Sequence, residues 1–344
     1  MLGKTKKYLF AAGMTVAMAS ASVAAKADSV ADFYKGKTVT VLIGTSAGGG
    51  YDLYARVLAK YMGKHIPGNP TLVPQNMPGA GTLRVANYIY EVAPKDGTVF
   101  GTFSRSMPLS PLLKLPGVKF DSLKYTWLGS ITKDTMTCIS WKDSPVKKWD
   151  DIFTHEFKVG GEGKGADPDV YATMIKNAFH AKIKLVTGYP GTADITLAMQ
   201  RGELDGVCGF SYSSVRSTHD DWIKTKQINF IIQGALEPDP NLPGVPMMID
   251  EGKTPEQKAM LKLALAPQAI ARPFVAPPGI PADRAQALQK AFDDTMKDPD
   301  FVADAKKLGL DVNPMTGAQA LAMLKDIYKT PDSVVKETRA VMGY

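Results

Sequence analysis

A β-branched, apolar run, Thr38-Val39-Thr40-Val41-Leu42-Ile43, breaks at Gly44-Thr45-Ser46-Ala47-Gly48-Gly49-Gly50 and hands over to a helical pattern from Asp52 to Met62. The run reads as a buried strand. A strand that feeds a helix through glycines leaves free backbone N–H groups at the helix N-terminus. The helix dipole adds partial positive charge there, so the corner suits a bound anion. Glycines also let a ligand approach the backbone closely. The plain alternative is a packed βα turn, and what decides between them is whether the device recurs.

It does recur. Phe157–Gly160 enters Gly161-Glu162-Gly163-Lys164-Gly165-Ala166-Asp167, with a helix from about Pro168 to His180. Ile183–Val186 opens into Gly188-Tyr189-Pro190-Gly191-Thr192-Ala193-Asp194, and the next helix ends at Arg201-Gly202. Asp205–Phe210 ends in the small polar run Ser211-Tyr212-Ser213-Ser214. Upstream, Leu72–Asn76 precedes the glycine loop Met77–Thr82, and Thr98–Phe103 precedes Ser104-Arg105-Ser106. Strands alternating with helices predict an α/β fold with mainly parallel sheets. The proline-rich stretch Glu237–Pro246 reads as a connector, and the rest as mostly helical. There, Asp298-Pro299 marks one helix start and Thr316-Gly317-Ala318-Gln319 a capping box.

The first 27 residues have the form of an export signal: Lys4, Lys6 and Lys7, an apolar stretch from Leu9 to Val23, then Ala25-Lys26-Ala27 as a small-x-small cleavage site. Without that segment the formal charge falls from +7 to +3, with 37 basic against 34 acidic residues. No Lys/Arg block remains, which argues against a nucleic-acid partner. About 317 residues are enough for two cored domains. Cys138 and Cys208 lie in apolar strand-like runs and read first as buried free thiols. One disulfide is the alternative in an oxidising compartment.

Several chemistries lack their residues. Lys164 is followed by Gly165, not Ser or Thr, so the second loop is no Walker phosphate loop. Its glycine spacing is not the dinucleotide fingerprint. Gly209-Phe210-Ser211-Tyr212-Ser213 lacks the closing glycine of a nucleophile elbow. The histidines have no metal-ligand partner at helical spacing. No cofactor and no metal are expected. What remains is a set of anion-friendly corners in two α/β regions, which together would form a cleft.

The chain resembles the solute receptors of tripartite tricarboxylate transporters, the TctC or Bug-type proteins. The resemblance rests on five motifs in order: Val41–Arg56 (VLIGTSAGGGYDLYAR), Gln75–Gly81 (QNMPGAG), Pro94–Thr98 (PKDGT), Gly188–Gly191 (GYPG) and Arg201–Gly206 (RGELDG). One departure is Ser46-Ala47, where the family usually has a proline before its first Gly-Gly. The resemblance implies a class II periplasmic-binding-protein fold, with two α/β domains around an interdomain cleft joined by two crossover strands. Domain 1 would comprise 28–130 plus 235–344, and domain 2 would comprise 131–234. It implies a periplasmic receptor, not an enzyme, that closes on a small organic carboxylate and delivers it to membrane permease subunits; a monomer is expected, since such a trap must open freely. A sensor kinase as partner, or a periplasmic enzyme acting on a carboxylic acid, are the alternatives.

The ligand-binding residues carried over from domain 1 are Thr45, Ser46, Gly48, Gly49 and Asp52, with Asp52 read first as a helix cap. Ser104 and Arg105 follow from their place at a strand end. Arg105 would either pair with a carboxylate two-pronged or sit solvated on the surface. Domain 2 contributes Gly163, Gly165, Ala166, Tyr189, Pro190, Gly191, Thr192 and Asp194, the last again first a cap, and Ser211. Few cations in these loops favour a mono- or dicarboxylate over a tricarboxylate.

Overall fold

The computed structural model describes Leu2 and residues 29–344 of the chain. The expected export signal, residues 1–27, lies outside the described residues apart from Leu2. The strands are β1 (Thr38–Ile43), β2 (Thr71–Asn76), β3 (Val99–Thr102), β4 (Thr126–Ser130), β5 (Met136–Trp141), β6 (Phe157–Gly160), β7 (Ile183–Val186), β8 (Gly206–Ser211), β9 (Ile228–Gly234), β10 (Pro273–Ala276) and β11 (Met315–Thr316). The helices are α1 (Val30–Tyr34), α2 (Gly50–Met62), α3 (Leu83–Asn87), α4 (Asp167–Phe179), α5 (Thr192–Gln200), α6 (Tyr212–Lys224), α7 (Pro255–Leu265), α8 (Ala282–Thr295), α9 (Pro299–Lys307), α10 (Gly317–Ile327) and α11 (Asp332–Val341).

These strands form two sheets, ordered β11-β4-β10-β3-β1-β2 and β7-β6-β8-β5-β9. Helices cover both faces of each, so β1 is buried on both sides: Val39, Val41 and Ile43 face one core, and Leu42 the other. The expectation of mainly parallel sheets needs correction. β1 pairs parallel with β2 and β3, and β6 with β7 and β8. β4, β10 and β11 join the first sheet antiparallel, and β5 pairs antiparallel with both β8 and β9. β10 and β11 come from the region read as helical. Each is short, and β11 has two residues, too few to show a period of two.

The chain leaves the first sheet after β4, runs through 131–135 and enters β5. It re-enters the first sheet at β10, by way of the 3-10 segment Ala266–Ile270. Helices α8 and α9 pack with α2 on the first sheet. Met260, Leu261 and Leu265 of α7, and Val334, Val335 and Val341 of α11, pack into the core of the second.

Cys138 and Cys208 are joined by a disulfide, contrary to the reading of free thiols. The β5–β8 ladder places them directly opposite one another, a register that a sequence separation of 70 does not reveal. The two helix starts marked in the C-terminal region form as read. Asp298 accepts from the Asp300 N–H, and Thr316 and Gln319 close a capping box.

In α6 the backbone kinks at His219, whose ring stacks on Trp222 with centroids 3.8 Å apart. Burial pushes the imidazole down to about 4. A histidine held neutral in the fold stabilises it fully above its unfolded value of about 6.5, and that stability is lost as pH falls toward 4. His219→Gln should therefore lose less stability than the parent chain between pH 7 and pH 4, read as urea midpoints. Parallel curves would show that the ring titrates alike in both states.

Candidate functional site

The βα corners of both sheets point at one another. At the β1–α2 corner, Asp52 is the third residue of α2. It accepts from Gly48 N at 2.9 Å, from Arg56 Nε at 2.9 Å and from Asn76 Nδ2 at 2.9 Å. Burial alone would raise its carboxyl, but these bonds more than offset that and hold it below the usual range. Asp52 thus fixes the loop and is already saturated. Thr45 is buried with no partner for its Oγ1, while Gly48 lies exposed on the loop tip.

This loop touches the β7–α5 corner. Ser46 Oγ donates to Asp194 Oδ2 at 2.8 Å, and Ser46 N donates to Pro190 O at 3.3 Å. A Cβ at Gly191 would run into Ser46 Oγ, and one at Gly49 would lie 3.0 Å from Thr192 Oγ1. Tyr189 is half-buried and packs against the apolar cluster on one face of the second sheet. Pro190 is exposed at the rim. In the β6–α4 loop, Glu162 N and Gly163 N donate to Asp169 Oδ2, and Thr187 Oγ1 donates to Asp169 Oδ1. Gly163 lies against the Ala80-Gly81 backbone and Gly165 against Leu115 and Met107. Ala166 is buried at the start of α4.

Beneath these loops lie two buried arginines. Arg105, fully buried, donates from Nη1 to Ser211 Oγ at 2.7 Å and from Nη2 to Gly209 O at 3.3 Å. Its Nε lies 3.0 Å from Asp167 Oδ2, an ion pair off the hydrogen-bonding line. Burial acts against the guanidinium, but the Asp167 carboxylate, with Tyr51, Tyr171 and Asp134 adding to it, more than offsets this and holds the group above its ordinary value. The surface alternative for Arg105 is excluded by this burial. Arg272, at the start of β10, also reaches Ser211 Oγ, at 3.1 Å. It further bonds Ser213 and Ser214, pairs with Asp134 at 3.2 Å, and lies over the rings of Tyr51 and Tyr54 at 4.7 and 4.9 Å.

A cavity of about 20 Å³, room for about one water, lies between the corners, lined by Tyr51, Ser104, Glu162, Thr192, Ser211 and Ser214 among others. Burial raises the Glu162 carboxyl well above its ordinary value, and the nearby Asp167, Asp169 and Asp194 add to this. A second, larger cavity of about 430 Å³ opens at the segments running between the sheets, lined by Thr132–Thr135 and Ala235–Asn241 among others. The arrangement at the corners is one of O–H and N–H donors backed by two guanidiniums, suited to holding an anion. Among the described residues no group of three or more His, Cys, Asp or Glu is placed to hold a metal ion.

Arg272, Asp134, Tyr51, Glu162, Asp167, Ser213 and Ser214 were not among the residues expected at the site. Tyr51 and Asp167 close the two glycine loops and were legible as neighbours of the motif. Arg272 had no signal, because its strand was hidden in a stretch read as helical.

No protein-family model matches the chain. The UPF0065 protein of the TAR-I ttuE-ttuC' intergenic region of Agrobacterium vitis is 26% identical over 287 residues, covering 81% of this chain and 77% of that protein. The UPF0065 protein of the gbd 5' region of Cupriavidus necator is 22% identical over 96% of this chain and 97% of its own length. Among solved structures, the periplasmic binding protein BugD superposes with a TM-score of 0.71 at 20% identity, over 90% of this chain and 98% of its own. By sequence the chain is similar to these UPF0065 proteins, and by fold it is similar to solved Bug- and TctC-type periplasmic binding proteins. MatC from Rhodopseudomonas palustris, solved with bound malate, gives a TM-score of 0.67 at 18% identity over 89% and 99% of the two chains. A second R. palustris protein, Rpa4515, solved with adipate, gives 0.68 at 16% over 88% and 97%. The fold is the two-domain α/β fold of these binding proteins.

Arg272→Met keeps the bulk of the side chain and strips Asp134, 3% exposed, of its counter-charge. It should cost about 3–5 kcal/mol in urea unfolding. The double variant with Asp134→Asn should recover part of that loss, and no recovery would separate the two residues energetically.

Proposed function

We propose that the chain is a periplasmic solute-binding receptor that captures a small organic mono- or dicarboxylate in the cleft between its two halves and delivers it to a tripartite tricarboxylate-type membrane permease. The halves are taken as 28–130 with 235–344 and as 131–234, with α7 and α11 reaching across to the second sheet. The observation that carries the reading is the convergence of Arg105 and Arg272 on Ser211, where the βα corners of the two sheets meet. The malate and adipate bound by related folds are of the same class.

The ligand set proposed for this site is Thr45, Ser46, Gly48, Gly49 and Asp52 with Ser104 and Arg105 on one side. On the other are Gly163, Gly165, Ala166, Tyr189, Pro190, Gly191, Thr192, Asp194 and Ser211. Asp52 and Asp194 act by fixing loops. Hydrogen bonds to a charged group contribute about 1.5–3 kcal/mol each, and a micromolar receptor needs only about −8 kcal/mol. Contacts from both sides are made together only when the halves close, so the ligand favours closure.

A thermal-shift screen of residues 28–344 against mono-, di- and tricarboxylates, sugars and amino acids tests this. A ligand at about 100 times its dissociation constant adds roughly 2.7 kcal/mol, a rise of a few degrees. Shifts confined to mono- or dicarboxylates are expected, and a shift with a sugar alone would overturn the ligand class. Gly191→Val, whose side chain would enter the space of Ser46, should weaken the best ligand by roughly tenfold or more, about 1.4 kcal/mol. Unchanged affinity in calorimetry would remove that loop from the site.

A further inference from the structure

Asp167 opens α4 and carries its carboxylate, 5% exposed, across to the loops of the first sheet. Oδ1 accepts from Ser104 Oγ at 2.7 Å and from Ser106 Oγ at 2.5 Å. Oδ2 accepts from Tyr51 Oη at 3.1 Å and faces Arg105 Nε at 3.0 Å. Two hydroxyls, a phenol and a guanidinium therefore converge on the two oxygens of one carboxylate. All four donors come from the first-sheet side, Tyr51 from the first turn of α2 and the others from the segment after β3.

Part of this set is positioned without Asp167. Tyr51 Oη accepts from Arg105 N at 2.8 Å, and Ser104 N donates to Thr82 Oγ1 at 3.1 Å. Burial raises the Tyr51 phenol above its ordinary value, so it stays a donor at neutral pH. The Arg105 guanidinium, by contrast, finds its partners Asp167, Ser211 and Gly209 on the second-sheet side. When the halves part, Arg105 loses these partners and the four donors face open cleft together. They then form a ready site for a free carboxylate.

We propose that Asp167 is a built-in carboxylate that occupies, in the closed chain, the place a ligand carboxylate takes on the Ser104, Arg105, Ser106 and Tyr51 donors. This rests on the carboxylate-receptor reading and names one anchor of that site. The ligand has to displace Asp167, so its apparent affinity is its intrinsic affinity reduced by the fraction of chain that is self-occupied. Two carboxylates cannot share one guanidinium without repulsion. Asp167 therefore sets a threshold that weak carboxylate binders do not pass.

The test compares the parent chain with Asp167→Ala, at constant ionic strength, in chloride, acetate and acetamide. In chloride the variant should melt lower, because Arg105 has lost its counter-charge. Acetate should restore much of that loss saturably, while acetamide should not, and the parent should gain little from acetate. A carboxylate found by the screen should bind the variant about tenfold tighter in calorimetry if about nine-tenths of the parent is self-occupied. No acetate-specific gain, or weaker binding by the variant, would overturn the proposal. A parent chain that answers to no carboxylate, beside a variant rescued by acetate, would uphold the anchor and overturn the receptor reading alone. Should Asp167→Ala not fold, Asp167→Asn keeps the shape without the charge. Tighter carboxylate binding by it supports the proposal, and unchanged or weaker binding overturns it.

Discussion

Two guanidiniums lie buried between the two sheets, and neither half of the protein satisfies them alone. An isolated buried cation is costly enough that a fold holding one has to supply an anion and hydrogen bonds. Here the partners come from across the boundary. Arg105, after β3, finds Asp167 at the start of α4, and Arg272, at the start of β10, finds the Ser211–Ser214 corner of β8 and α6. Asp134, on the segment running between the sheets, closes the second pair. Where the βα corners face one another the halves therefore meet through charge, while elsewhere α7 and α11 share the apolar core of the second sheet. Charge pairs of this kind can be exchanged for ligand contacts in a way that interdigitated side chains cannot.

Small residues make that meeting possible. The loops that touch are built from Gly49, Gly50 and Gly191, and side chains at the last two would collide with Ser214 and Ser46. Backbone then approaches backbone, and the N-termini of α2, α4 and α5 come close together with their partial positive charge. The acidic residues among them have different tasks. Asp52 and Asp169 each collect several donors and hold a loop in shape. Glu162 has burial and three acidic neighbours against its charge. Asp167 and Asp194 spend their carboxylates on the opposite half, Asp167 on four donors and Asp194 on Ser46.

The local elements were legible because each has its own signal. The strand–glycine–helix corners at Thr38–Met62, Phe157–Phe179 and Ile183–Gln200 form within a residue or two of where the pattern sets them. The caps at Asp298 and Thr316 form as read, because a cap depends on residues three apart. The short strands β10 and β11 were not legible, since sheet partners rather than their own period define them. Ser211-Tyr212-Ser213-Ser214 was read as a loop, yet α6 begins at Tyr212. The helix start is fixed there by packing and by the arginine that grips its serines.

The sequence by itself determined the α/β class, the corners suited to an anion and the resemblance to a family of solute receptors. Those properties depend on the order of residues a few positions apart. Only the tertiary structure decided that Arg105 is buried, that Arg272 joins it, that Cys138 meets Cys208 and that Asp167 fills the donor set. Each of these joins positions at least 61 residues apart. Pairing at that distance follows from how whole sheets settle against one another, and no local pattern of side chains records it.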